Sequence, residues 1–85
     1  MTREKIFGLV NEERDRQDRE WRTGGPIEAQ YSFAASHVLI LEEKLTRLRS
    51  LWYDSKPEQM KEEFVKIAAI AVRAIEEVTS FQEEA

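Results

Sequence analysis

Glycine and proline punctuate this chain at very few points, and their placement constrains the fold more than any other feature. Glycine stands at positions 8, 24 and 25, and proline at 26 and 57. The stretches between are rich in Glu, Lys, Arg, Leu, Ala and Gln, residues that lose little on entering a helix. Gly24-Gly25-Pro26 combines two residues free to take positive φ with one that stops helix propagation. The chain therefore reads as all-α, with helices over about 2–21, 32–53 and 56–81, and no strand. With no internal repeat or low-complexity tract, residues 1–85 read as a single domain.

Each helix has its own signature. Thr2 is the expected N-cap of the first. Ile6, Leu9, Val10, Gln17 and Trp21 share one side of it, apolar at both ends and polar in the middle. Its charged run from Glu12 to Arg22 alternates in sign, with Glu12–Arg16, Asp15–Arg19 and Asp18–Arg22 as acid-before-base pairs at i,i+4, and so reads as a solvated face. Ser32 is the expected cap of the second helix. Val38, Leu41, Leu45, Leu48 and Trp52 follow at 3-4-3-4 spacing, a seam of the coiled-coil kind. For the third, Ser55-Lys56-Pro57-Glu58 has the form of a capping box, with Ser55 as N-cap. Met60, Phe64, Ile67, Ala71, Ile75 and Val78 form its main stripe, and Val65, Ala68 and Val72 widen it. The tail from Gln82 is expected to fray.

Two wide apolar faces joined by a short turn near Asp54 predict that helices two and three form an antiparallel hairpin. One hairpin leaves apolar surface uncovered, because helix two is apolar nearly all round between residues 38 and 41. The expected solution is a homodimer whose two hairpins make a four-helix bundle, with Leu39, Ile40, Val65 and Val72 at the interface. A monomeric three-helix bundle is the alternative.

Composition narrows the functional classes. There is no cysteine among the 85 residues, which excludes disulfides and thiol-based metal or redox chemistry. Seventeen acidic against thirteen basic residues give a net charge of −4, unlike the basic patch expected of a nucleic-acid binder. No run approaches the ~18–20 apolar residues of a membrane span, and Met1-Thr2-Arg3-Glu4 does not read as a secretory signal. The expected location is the cytoplasm.

Few side chains suggest chemistry outright. His37 is the single histidine. Phe33, Ile40 and Leu41 lie one turn from it, so its own helix offers no acid to orient it or share a metal, and a surface or interface role is expected. Trp52 reads as a hydrophobic plug at a helix end. Trp21 suits either packing or contact with a base. Glu42 on helix two and Glu63 on helix three each flank the apolar seam of their helix, where facing carboxylates can hold Mg²⁺, while Glu43 and Glu62 point largely away from it. Glutamates are common on every helix, and such pairing also arises by chance.

The segment Glu13-Arg14-Asp15-Arg16-Gln17-Asp18-Arg19-Glu20-Trp21 resembles the "ER-x-RQD-x-x-W" opening of short MazG-like proteins of bacteria and phages. Leu39 to Leu45 and Glu63 to Val72 are similar to the two central helices of that family. The wider family comprises the all-α nucleoside triphosphate pyrophosphohydrolases, which act as dimers or tetramers. The resemblance implies Mg²⁺ held by EExxE on one helix and ExxD on the next. In this chain Glu42, Glu43 and Glu63 match those motifs, but Thr46 and Lys66 stand where further acids belong. An ammonium at Lys66 competes with a metal cation, and fewer carboxylates weaken Mg²⁺ binding. The resemblance thus implies a catalytically degenerate relative that binds a nucleotide or a protein partner, with Lys66 as a phosphate contact and Trp21 as a base or partner contact. A Mg²⁺-dependent pyrophosphohydrolase using Glu42, Glu43 and Glu63 is one alternative. A helical docking or regulatory module is the other.

Overall fold

The computed structural model describes residues 1–22 and 34–84, apart from the side chains at 21, 22, 34–36, 81 and 84. The expected break at Gly24-Gly25-Pro26, the Ser32 cap and the side chain of Trp21 fall outside the described residues. Among them the regular elements are helices alone: α1 spans Arg3–Arg22, α2 Ala34–Tyr53 and α3 Pro57–Glu84. None of these helices is long and apolar enough to cross a membrane.

The start of α1 follows its cap. Thr2 Oγ1 accepts a hydrogen bond from the Lys5 amide at 3.3 Å, and its carbonyl accepts the first helical bond, from Ile6. At the other end of the chain α3 does not fray at Gln82 but continues to Glu84. No glycine or proline follows Pro57 to stop it.

The turn between α2 and α3 departs from the capping-box expectation. Ser55 does not cap α3; it terminates α2. Its backbone has φ 54°, the left-handed region. The Lys56 amide bonds the Leu51 carbonyl at 3.0 Å and the Ser55 amide bonds the Trp52 carbonyl at 3.1 Å. This pair of bonds is a Schellman closure with Ser55 in the position glycine favours. The Lys56 carbonyl then receives the first bond of α3 from Met60 at 2.9 Å. One tight turn thus ends one helix and starts the next, and a local motif that suited a cap yields to the need to reverse the chain.

The longest helix, α3, is the shared wall, since α1 and α2 both pack chiefly against it. Ion pairs from His37 to Glu77 and from Lys44 and Arg47 to Glu63 show that α2 and α3 run antiparallel. The buried apolar residues are Val10, Ile40, Leu48, Leu51, Ala69 and Ile70, joined by the polar Gln17, His37 and Glu63. On α2 the inward row is therefore His37–Ile40–Lys44–Leu48–Leu51, rotated from the 3-4 seam read in the sequence. Val38, Leu45 and Trp52 of that seam are exposed, as are Phe64, Ile75 and Val78 of the α3 stripe. Trp52 is no plug: it is 62 % exposed, and its ring meets that of Tyr53 edge-on, centroids 5.0 Å apart.

The strained turn generates a prediction. Ser55→Gly removes the Cβ penalty of a left-handed residue and is expected to stabilise the fold by about 0.5–1 kcal/mol. Urea unfolding measures this as a higher midpoint at unchanged slope; a lower midpoint contradicts the assignment.

Candidate functional site

The site forms where all three helices meet, around a carboxylate with almost no access to water. Glu63 is 2 % exposed. Three cations surround it: Arg47 Nε at 3.5 Å, Lys66 Nζ at 3.7 Å and Lys44 Nζ at 4.0 Å. Lys44 and Arg47 come from α2, one turn apart, while Lys66 lies one turn along α3 from Glu63 itself. A buried carboxylate demands such company, because leaving a charge unpaired in a low-dielectric interior costs several kcal/mol. The pairing is electrostatic rather than closely hydrogen-bonded, and Glu63 Oε2 has no hydrogen-bond partner.

Gln17 closes the site from α1. It is 2 % exposed, and its Nε2 donates to Glu13 Oε2 at 3.0 Å and to the Lys66 carbonyl at 3.4 Å. Its Oε1 is buried without a hydrogen-bond partner. Arg16 is paired with both Glu13, through Nε at 2.8 Å, and Glu20. Burial works against the charged form of Glu13, but hydrogen bonds from Arg16 and Gln17 and the charges of Arg16 and Lys66 outweigh it and hold the carboxyl below its ordinary value. Between these groups lies a crevice of about 250 Å³, walled by Arg16, Gln17, Glu20, Ile40, Lys44, Lys66 and Ile70.

The predicted metal ligands do not converge. Glu42 and Glu43 are exposed, about 140–240° round α2 from the inward row that starts at His37. Among the described residues, no group of three His, Cys, Asp or Glu side chains is arranged to hold a metal ion. Thr46 turns its hydroxyl to its own helix, donating to the Glu42 carbonyl at 3.0 Å. Of the proposed set only Glu63 and Lys66 meet, and they meet as an ion pair.

Other expected residues have definite places. His37 is not a surface residue: it is 4 % exposed, with Nδ1 3.0 Å from Glu77 Oε2. Its acid comes from α3, which the neighbours on its own helix could not reveal. Ile40 is 3 % exposed and belongs to the core of the protomer rather than to an outer surface. Leu39 and Val72 are exposed, and Val65 is half-buried beside Met1 and Leu9.

The charged run of α1 is not simply a solvated face. Arg14 links Asp18 on its own helix, at 2.9 Å, to Glu76 on α3, at 2.8 Å, and Arg73 of α3 also pairs with Asp18. The letters of the ER-x-RQD pattern, Glu13, Arg14, Arg16, Gln17 and Asp18, are the residues engaged in these contacts. Of the unspecified positions that follow or interrupt it, Asp15 and Arg19 are exposed, while Glu20 pairs with Arg16. Of the pairs expected from i,i+4 spacing, Glu12–Arg16 gives way to pairing of Arg16 with Glu13 and Glu20, and Asp18–Arg22 involves a side chain outside the described residues. No protein family, curated protein or solved structure matches this chain.

The hydrogen bond from Arg14, opposed by burial and reinforced by the charges of Arg14 and Arg73, holds Asp18 below the ordinary aspartate value. A folded pKa below the unfolded one contributes stability that is complete above the unfolded value and is lost as pH falls through the folded one. The melting temperature is therefore expected to drop as pH is lowered from about 5 to 3, and Asp18→Asn should start lower at neutral pH and fall less steeply. Parallel pH profiles for the two proteins would show that Asp18 contributes nothing to this linkage.

Proposed function

We propose that this protein binds the phosphate of a nucleotide without a metal ion and does not hydrolyse it. The observation that carries this reading is the surplus of cations at Glu63: Lys44, Arg47 and Lys66 surround one carboxylate. Lys44 and Lys66 also wall the crevice, where an anion would meet ammonium groups already gathered at one point. In a chain of net charge −4, this local excess is against the general trend.

The size of the crevice limits what enters it. About 250 Å³ is below the ~300–1,000 Å³ of pockets that enclose a drug-sized ligand. It suits a phosphate group, with the nucleoside outside. Gln17, which walls the crevice, carries an Oε1 acceptor without a hydrogen-bond partner, to which a ligand hydroxyl or protonated phosphate oxygen could donate.

The resemblance to MazG-like pyrophosphohydrolases supports a nucleotide as the ligand, and the residues present argue against turnover. Hydrolysis in that family draws on acids around Mg²⁺. Here Glu42 and Glu43 are exposed, Thr46 bonds its own helix, and Glu63 already faces three cations. A divalent cation at Glu63 would have to displace ammonium and guanidinium groups.

Thermal unfolding against a panel of nucleoside triphosphates tests the reading. A ligand at about 100 times its Kd adds about 2.7 kcal/mol, several degrees for a domain of this size. The expected shift persists in EDTA, and Lys66→Gln or Lys44→Gln weakens binding about tenfold, the worth of one charged contact. A shift that requires Mg²⁺, accompanied by released pyrophosphate, would establish a hydrolase instead. No shift with any nucleotide would leave a helical docking module.

A further inference from the structure

We infer, on the strength of the phosphate-binding reading above, that the crevice takes a phosphomonoester in its singly protonated, monoanionic form, and that Gln17 is the residue that reads the proton. A carboxamide has a donating and an accepting end, and at Gln17 chemistry fixes which is which. Its Nε2 lies 3.0 Å from Glu13 Oε2 and 3.4 Å from the Lys66 carbonyl. Both partners are acceptors, and Glu13 is held below its ordinary value, so it stays one. An amide turned the other way would set oxygen against oxygen twice. Oε1 is therefore the end left over, buried and without a hydrogen-bond partner on a side chain that walls the crevice.

The remaining polar wall is mostly donors. Arg16, Lys44 and Lys66 line it, with Glu20 as the one acid. Lys44 Nζ and Lys66 Nζ stand 4.0 and 3.7 Å from the Glu63 carboxylate, too far for a hydrogen bond, which leaves their N–H groups for another acceptor. A ligand that satisfies this wall must accept at the cations and donate at Gln17. A phosphate oxygen that carries a proton does both. A sulfate, a phosphodiester or a dianionic phosphate offers acceptors alone, and leaves the Gln17 oxygen buried and unpaired.

Charge and size agree with that form. Around the crevice and Glu63, α1 contributes Glu13, Arg16 and Glu20, α2 contributes Lys44 and Arg47, and α3 contributes Glu63 and Lys66. Counted as formal charges, these leave a single positive charge uncompensated. A monoanion balances it, whereas a dianion brings surplus negative charge beside Glu20. The volume of about 250 Å³, with Ile40 and Ile70 as apolar wall, suits the phosphate and leaves the nucleoside outside. The donor that reaches Gln17 is then the hydroxyl of the phosphate itself and not one of a sugar.

NMR titration of the whole chain with methyl phosphate, dimethyl phosphate and sulfate, from pH 6 to pH 8 at constant ionic strength, tests this. A phosphomonoester loses its second proton with a pKa of about 6. Its protonated fraction falls from about one half at pH 6 to about one hundredth at pH 8, so the apparent affinity for methyl phosphate is expected to weaken about fiftyfold. Sulfate and dimethyl phosphate carry no proton in this range. They are expected to bind about tenfold more weakly than methyl phosphate at pH 6, the effect of one hydrogen bond involving a charged group, and to change little with pH. Gln17→Met keeps the length of the side chain without its acceptor, and is expected to bring methyl phosphate down to the level of sulfate with helix content retained by circular dichroism. Affinity for methyl phosphate that is flat or rises with pH, or that equals that of sulfate at pH 6, overturns the inference and leaves the anion-binding reading standing. Failure of every anion and every nucleotide to bind removes both. The wild-type pH profile decides the matter even if Gln17→Met fails to fold.

Discussion

The Glu63 carboxylate organises much of this molecule. It sits in the middle of the inward row of α3, 2 % exposed, where hydropathy alone would place an aliphatic side chain. Lys44 and Arg47 reach across to it from α2, and Lys66 from the next turn of α3, so the buried carboxyl is accompanied by three basic side chains. That pairing selects the register of α2: the turn bearing Lys44 must face α3, so Ile40 and Leu48, one turn to either side, become core. With α2 rotated this way, Val38, Leu45 and Trp52 turn outward. The same ion cluster thus sets the inner packing, leaves one face of the layer open, and lines the crevice with cations.

Much of the architecture was legible in the residues. Sparse glycine and proline, the Thr2 cap and the helical periodicity give three helices whose observed bounds lie within a few residues of those expected. The rotation of α2 was not legible. The 3-4 apolar row predicts a packed seam, but apolar patterning does not fix which row of a helix faces its neighbour in the chain, and Val38, Leu45 and Trp52 are exposed. It also discounts Lys44 and Glu63, whose burial depends on each other across two helices. His37 illustrates the same gap, since its partner Glu77 is 40 positions away in sequence. Ser55 shows a different one: Ser-x-x-Glu before a helix fits a cap locally, but the closure of the preceding helix claims that residue first.

For the candidate site, Glu63 and Lys66 are singled out in the sequence by a resemblance alone, and the structure brings them together as an ion pair. Arg16, Gln17, Lys44 and Arg47 are not so marked, because long polar side chains on exposed-looking helix faces carry no signal of where they converge. In α1, Glu13, Arg14, Arg16, Gln17 and Asp18 engage α3 or one another, and Glu20 joins them through Arg16. The arrangement places Arg16, Lys44 and Lys66 around a crevice where the three helices meet and leaves Val38, Leu45, Trp52 and Ile75 exposed.

Whether Glu63 is a metal ligand or an anchor for cations is the question on which this account turns. Mn²⁺ titrated into isotope-labelled protein, followed by NMR at the side-chain carboxyl groups, addresses it directly. The account predicts that the Glu63 signal stays sharp at substoichiometric Mn²⁺, and that inorganic pyrophosphate shifts it in the presence of EDTA. Joint broadening of Glu63, Glu42 and Glu43 by Mn²⁺ would contradict it and make the three acids a metal site.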